Sequence, residues 1–333
     1  MTPTRRQFAA LSLVLPFAAG RSWAAPTPPP DPLVIARGAG GDAPEGSRAA
    51  YDQAIADGAD VLATTIVISK DAVPLALPDN ELSACTDIAA RPAFSDRRGS
   101  RFVDGVERAG WFAEDFTLAE LRTLALGRPD PRARRPGPPI LTFEDLIGVA
   151  RAGCVRTARV IGVQAFLPHS AYFAGLGLAL EAPVAAVIRS QGYNAPAAAM
   201  FVASGDAAAL KALGELTRAR RVRRLGPAEL PDGLAAIRAH AEVIAADPGL
   251  LLDLSSGKAA PPTGLIAQAH AAGLAVQAWT GGPGQVFPPP PYRPGDARRL
   301  LTTLFGAGSD AVCGDLASPI VRARSDALPP PRD

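Results

Sequence analysis

Leu33 to Ser47, LVIARGAGGDAPEGS, is the stretch in which charged side chains, glycines and a helix start fall close enough to act together. Leu33, Val34 and Ile35 have strand character, Arg37-Gly38 makes a turn, and Pro44-Glu45-Gly46-Ser47 leads into a helix-like segment. A strand-loop-helix junction of this kind can converge backbone amides, a helix N-terminus and one or two side chains on an anion. Arg37 is the candidate to hold that anion in a bidentate pair, its structural alternative being a salt bridge within the barrel mouth. Glu45, beside Ser47, is placed to stabilise the helix start. Of three histidines, His169 follows a strand candidate in Leu167-Pro168-His169 and could move a proton, whereas His240 and His270 fall within helical segments, where packing is the default. Cys85, Cys154 and Cys313 are far apart and lack metal-ligand spacing, which favours small apolar roles.

Other chemistries find little support. No phosphate loop of the Gly-x4-Gly-Lys-Ser/Thr type occurs, and Gly38-Ala39-Gly40-Gly41 lacks the spacing of a dinucleotide fingerprint. Neither Ser204-Gly205 nor Ser255-Ser256-Gly257 sits in the pattern of a nucleophile elbow. The run Arg218 to Arg224 reads as a solvated basic face around a short strand.

These residues must be positioned by an alternation of short apolar runs and amphipathic segments. Strands are expected at Leu33 to Ala36, Val61 to Val67, Val160 to Ala165, Ala199 to Ala203, Val222 to Leu225, Leu250 to Leu254, Leu274 to Trp279 and Ala311 to Cys313. Helices are expected at Ser47 to Asp57, Phe143 to Ala152, Ala207 to Ala219, Gly233 to Ala245, Thr263 to Ala272 and Asp296 to Phe305. The alternation argues for a parallel α/β sheet, and eight strands for a closed (β/α)8 TIM barrel rather than an open doubly wound sheet. Between Pro78 and Pro139 the periodicity lapses, with one helix start at Thr117 to Leu124. A stretch this long predicts an inserted lobe after the second strand, at about residues 80 to 139. Gly281 to Pro294, with Pro288 to Pro291 in series, can be neither helix nor central strand.

The chain has 333 residues, 48% of them hydrophobic and 20% charged, enough for a large core and too apolar for disorder. Its N-terminus reads as an export signal over residues 1 to 25, with Arg5-Arg6-Gln7-Phe8 of the twin-arginine type, an apolar run from Ala9 to Ala19 and a Ser22-Trp23-Ala24 cleavage site. That run is too short to span a bilayer, so no stable membrane span is expected once it is removed. A Pro-rich spacer to Pro32 leads into the barrel at 33 to 325, and residues 326 to 333 form a tail. Of the 34 basic residues, Arg5, Arg6 and Arg21 lie in the signal, so the remainder nearly cancels the 32 acidic residues and leaves no nucleic-acid footprint. The expected location is periplasmic or secreted, in a bacterium.

Several short motifs, in this order, carry a resemblance from about Leu33 to Arg324. They are Ile35-Ala36-Arg37-Gly38 with Pro44-Glu45, Gly58-Ala59-Asp60, Ser69-Lys70-Asp71, Leu77-Pro78-Asp79 with Thr86-Asp87, and Asp115-Phe116-Thr117-Leu118-Ala119-Glu120-Leu121. Further along come Thr142-Phe143-Glu144-Asp145, Ala269-His270-Ala271-Ala272-Gly273-Leu274, Trp279-Thr280 and Gly308-Ser309-Asp310-Ala311 with Asp315. With them the chain resembles the periplasmic glycerophosphodiester phosphodiesterases. The resemblance implies a (β/α)8 barrel with an insertion after the second strand, and hydrolysis of a glycerophosphodiester to an alcohol and glycerol 3-phosphate by two histidines and Ca2+ or Mg2+. It places the first histidine at Ala36 and the second at Pro78. The metal carboxylates correspond to Ala63, Thr65 and Phe166, and the accompanying lysine to Pro168. It also implies that Arg37 faces the substrate phosphate, that Asp79 and Asp315 occupy retained positions, and that Trp279 lines the pocket.

The expectation is therefore a family member without catalytic residues and without a metal site or other cofactor, because hard cations need several oxygen ligands and neither Ala36 nor Pro78 can transfer a proton. A phosphorylated or other anionic small molecule is the expected ligand, held among Arg37, Glu45, Asp79, His169, Trp279 and Asp315. Two other readings stay open. One is an active phosphodiesterase with a relocated site, using His169 with lobe carboxylates such as Asp96, Asp104 or Glu114. The other is a non-enzymatic scaffold acting through the lobe or the Pro288 to Pro291 loop.

Overall fold

A computed structural model describes residues 31–39, 41–127, 137–226, 233–281, 287–289 and 292–328. The expected signal, most of the spacer, and Pro290 and Pro291 of the proline series lie outside these residues. Twelve strands occur in the described chain: β1 (Leu33–Ala36), β2 (Val61–Ile68), β3 (Pro74–Ala76), β4 (Gly99–Val103), β5 (Val106–Gly110), β6 (Leu141–Thr142), β7 (Gly162–Phe166), β8 (Met200–Ser204), β9 (Arg220–Leu225), β10 (Val243–Ala246), β11 (Ala275–Trp279) and β12 (Ala311–Gly314). Eight of them, β1, β2 and β7 to β12, pair in parallel, and β1 closes the circle by pairing with both β2 and β12. The expected TIM barrel is thus present.

The period-2 geometry of a strand sends alternate residues to opposite faces. Ile35, Ala63, Phe201, Val222, Ala245 and Cys313 belong to the cluster inside the barrel. Their neighbours Val34, Leu62, Val202, Ile244 and Val312 pack outward beneath the helices. This double burial explains the continuous apolar runs of parallel strands. One of the largest helices, Phe143–Thr157, starts with a capping box in which the Thr142 hydroxyl accepts from the Asp145 amide and the Asp145 carboxylate accepts from the Thr142 amide.

Two readings of the sequence need correction. The sixth barrel strand is Val243–Ala246, not Leu250 to Leu254, and the preceding helix runs only over Gly233–Arg238. Asp247 caps a short helix at Pro248–Leu251, with Pro248 in its first turn and the Gly249 amide donating to the Asp247 carboxylate. The Asp-Pro start, where the missing proline N–H has no cost, outweighed the strand-like Leu250-Leu251-Leu252 run. The second correction concerns Arg218 to Arg224. Most of it is β9 itself, with Arg220 over the Phe201 ring at 5.6 Å and Arg224 over the Trp279 ring at 5.1 Å. Stacking on aromatic faces lets guanidinium groups lie along a barrel strand. The C-terminal helix extends through Ala327, two residues into the expected tail.

The lobe after β2 follows the expected position. β3 and β6 extend the sheet beside the upper half of β2 in antiparallel pairs. Beyond β3 come three 3-10 turns, the β4–β5 hairpin and the helix Leu118–Leu121, whose capping box joins Thr117 and Glu120.

Candidate functional site

At the C-terminal ends of the barrel strands, the positions expected to have lost their chemistry come together. Ala36 ends β1 and is fully buried, with Gly314 and Leu62 as register partners. Ala63 lies beside Gln164 and Thr65 beside Phe166 on the paired β2 and β7. The Phe166 ring reaches the Trp279 ring of β11 with centroids 5.4 Å apart. Third and seventh in the barrel, these strands stand across its axis from one another, so the two rings fill the centre of the mouth. Trp279 is thus packed as a core aromatic of the barrel cluster. Gln164 and Gln277 lie two residues below the rings, fully buried, with both amide heteroatoms of each lacking a protein partner.

Arg37 is 2% exposed, and its Nη2 donates to the Glu45 Oε1 at 2.8 Å, while its Nε stands 3.6 Å from the Asp315 Oδ1 without a hydrogen bond. The salt-bridge alternative for Arg37 is therefore realised, and the cap at Ser47 is made by the Ser47 hydroxyl rather than by Glu45. Gly38 supports the arrangement. Its φ is +67° and an added Cβ would lie 3.1 Å from the Tyr51 ring, so the turn that aims Arg37 needs glycine. Beneath Arg37, burial pushes the Cys313 thiol up to about 12, Arg37 and Arg224 opposing and Asp315 reinforcing the shift. A thiol so buried stays protonated and unreactive at neutral pH.

Asp79 and His169 lie on another side of the same mouth, next to Thr65, Pro78, Phe166 and Pro168. They line a cleft of about 550 Å³ on the β2 and β7 side, together with Thr65, Asp104, Arg108 and Phe166. Asp79 takes Arg108 in a bidentate pair at 2.8 and 2.5 Å and accepts from the Glu81 amide at 3.2 Å. The His169 Nδ1 meets the Asp104 Oδ2 at 2.5 Å, bringing lobe and barrel into contact. Of the three lobe carboxylates considered for a relocated site, only Asp104 reaches His169. Asp96 is bonded by Ser95, and Glu114 is buried where it accepts from Tyr172 and Asn80. Burial is the main cause of a raised Glu114 pKa, with the bonds from Tyr172 and Asn80 and the Arg101 charge pulling it back.

The six candidate ligand residues thus form two groups, Arg37 with Glu45 and Asp315 on one side and Asp79 with His169 on the other, with Trp279 between. Arg108 and Arg224 were not identified from sequence. No local signal in the sequence marks the reach of Arg108, which faces Arg101 across the hairpin, to Asp79. His270 lies at the opposite end of the barrel, where its Nε2 and the Val276 amide share the Asp310 carboxylate. His240 is buried, and burial together with the charges of Arg223 and Lys211 lowers its pKa, leaving a neutral packed imidazole. All three cysteines are free thiols.

Among the described residues no group of three or more His, Cys, Asp or Glu side chains is arranged to hold a metal ion. Ala63, Thr65 and Phe166, which the resemblance matches to metal carboxylates, supply a methyl group, one hydroxyl and a phenyl ring. That donor set does not fit Ca2+ or Mg2+, which need oxygen ligands with negative charge.

The family model for the glycerophosphoryl diester phosphodiesterase family matches residues 37–282. Among curated proteins, glycerophosphodiester phosphodiesterase GDPD6 of Arabidopsis thaliana is 37% identical over 130 residues, covering 38% of this chain and 34% of its own length. Glycerophosphodiester phosphodiesterase GDPDL6 of the same organism is 26% identical over 261 residues, covering 73% of this chain and 33% of its own length. The chain therefore spans about a third of the length of these relatives. Two solved structures share the fold. A phosphodiesterase of Oleispira antarctica in complex with its product sn-glycerol-3-phosphate has a TM-score of 0.62 at 20% identity, covering 88% of this chain and 96% of that one. The glycerophosphodiester phosphodiesterase of Agrobacterium tumefaciens has a TM-score of 0.61 at 19% identity, covering 89% and 99%. With the family model matching residues 37–282, most of its length, the chain belongs to the glycerophosphoryl diester phosphodiesterase family.

Proposed function

We propose that this protein is an exported member of the family that has lost metal-dependent phosphodiester hydrolysis and retains weak binding of a phosphorylated or other anionic small molecule. The observation that carries the first part is the barrel mouth. Ala36 and Pro78 offer no proton-transfer group, Ala63 and Thr65 no carboxylate, and the Phe166 ring lies against Trp279 on the axis. Proton transfer by a positioned side chain contributes about 10² to 10⁴ in rate, and without charged ligands the dehydration of a hard cation is not offset.

The second part rests on Arg37. Its buried Nε lacks a hydrogen-bond partner, and a phosphate oxygen there would replace the more distant and more exposed of its two carboxylates, Asp315. Glu45 and Asp315 already match the guanidinium charge, so binding is expected in the millimolar range, about −4 kcal/mol. Calorimetric titration checks both parts. Calcium should give no heat above dilution, whereas inorganic phosphate should bind weakly to the native protein and not to Arg37→Gln. Micromolar calcium binding contradicts the first part, and phosphate binding unchanged in Arg37→Gln contradicts the second.

The contact between His169 and Asp104 favours a second reading, a relocated and metal-free hydrolase. A chelator-insensitive turnover that disappears in His169→Ala would establish it over the first.

A further inference from the structure

Among the described residues, the β4–β5 hairpin forms a sheet that shares no hydrogen-bonded strand with the barrel. Its Asp104-Gly105 turn has φ of +48° and +79°, the two-residue geometry that holds antiparallel strands in register. Of the residues in each strand, only Val103 in β4 and Gly110 in β5 are buried. Phe102 and Val106, near the tip, are 69% and 62% exposed.

Polar contacts hold the hairpin down. Arg108 pairs with Asp79, Arg101 with Asp115, and Asp104 with His169, every partner being partly exposed. Ion pairs of this kind contribute little and are screened by salt. An isolated two-stranded hairpin is itself marginal. Few buried apolar contacts and exposed polar ones mark a segment that opens before the rest of the fold.

The foot of the hairpin has the form of a one-sided hinge. Gly99 faces Gly110 across it. Gly99 stands in open space, whereas a Cβ on Gly110 would lie 2.0 Å from the Glu81 carboxylate. That carboxylate accepts from the Trp111 and Ser83 amides, fixing the β5 side. Under the hairpin lies the cleft, with Asp104 and Arg108 above and Thr65, Phe166, His169 and Asp206 on the barrel side. His169 has φ of +55°, a conformation side chains rarely adopt, and its ring ends on the Asp104 carboxylate.

We propose that the β4–β5 hairpin is a hinged lid over this cleft, latched by the contact between Asp104 and His169. The latch joins the moving lobe to the barrel rim, and its release gives access to the cleft without disturbing any barrel strand. The lid stands whether or not the protein turns over a phosphodiester.

Hydrogen exchange on the full chain tests it. Amides of residues 99–110 should exchange ahead of those in β2 and β7. Asp104→Ala and His169→Ala should each accelerate them about two- to fivefold, and Asp104→Asn in the same direction by less because its amide oxygen still accepts, with barrel amides unchanged and the double alanine variant no faster than either single one, because both remove one contact. Asn-Gly suits this turn as well as Asp-Gly does, so Asp104→Asn reports the latch rather than the turn. Raising the salt to about 0.5 M should accelerate the same amides in the native protein. Exchange of the hairpin as slow as that of β7, no response to either alanine substitution, or no response to salt overturns the proposal.

Discussion

Glu114 shows how a single buried carboxyl can give the fold a dependence on pH. Its pKa is raised, mainly by burial, above the ordinary 4.5. The folded state therefore holds this proton more tightly than the unfolded state does. The contribution is fully present below the ordinary Glu range and is lost as pH rises through the folded value. Glu114→Gln keeps an acceptor for Tyr172 and Asn80 and removes the titration. Thermal unfolding should show the variant gaining stability over the native protein at pH 8 relative to pH 5, and an equal difference at both pH values would contradict this. The Arg37 cluster sets a buried guanidinium beside two carboxylates, Glu45 and Asp315. Of these residues the sequence identified Arg37, Glu45 and Asp315 as candidates but not their mutual neutralisation, because nothing local to Arg37 specifies that Asp315, at the far end of the chain, closes the barrel beside it.

At the scale of elements, seven of the eight expected barrel strands were legible to within a few residues, and two helix starts carried a local signal. Thr117 and Thr142, each with an acid three residues on, mark the two helix starts that the structure confirms as capping boxes. Thr142→Ala removes the acceptor for the Asp145 amide and should cost about 1 kcal/mol in urea unfolding, with a change below a few tenths contradicting the role of the cap. The Asp104-Gly105 hairpin carried an equally local signal, but the five-residue strands on either side of it, each with one buried residue, show no period-2 apolar pattern. β9 was expected only from Val222 to Leu225, and its first two residues, Arg220 and Arg221, were read as part of a solvated face. β10 was misplaced because Val243–Ala246 is only four residues, and its Ala245-Ala246 end continues the alanine-rich pattern of the helix before it. Its place in the sheet is set by pairing with β9 and β11, which a single stretch of sequence cannot display.

For the whole molecule, eight parallel strands closing on themselves followed from the alternation of apolar runs and helical segments even with one strand displaced. The inserted lobe followed from the lapse of that alternation after Pro78. What the sequence could not supply was the division of the mouth into two places. Arg37 lies with its carboxylates near β1 and β12, the cleft lies under the lobe near β2 and β7, and the Phe166 and Trp279 rings stand between them. That division depends on which strands are neighbours around a closed barrel. It also gives the account its central claim, that the axis of the mouth, where acid, base and metal would have to meet, is filled by aromatic rings and small side chains. The most direct measurement is turnover of glycerophosphocholine by the purified protein with millimolar calcium and, in parallel, with chelator. The account predicts no release of glycerol 3-phosphate above the uncatalysed background in either condition. Release that depends on calcium and stops with chelator would contradict it.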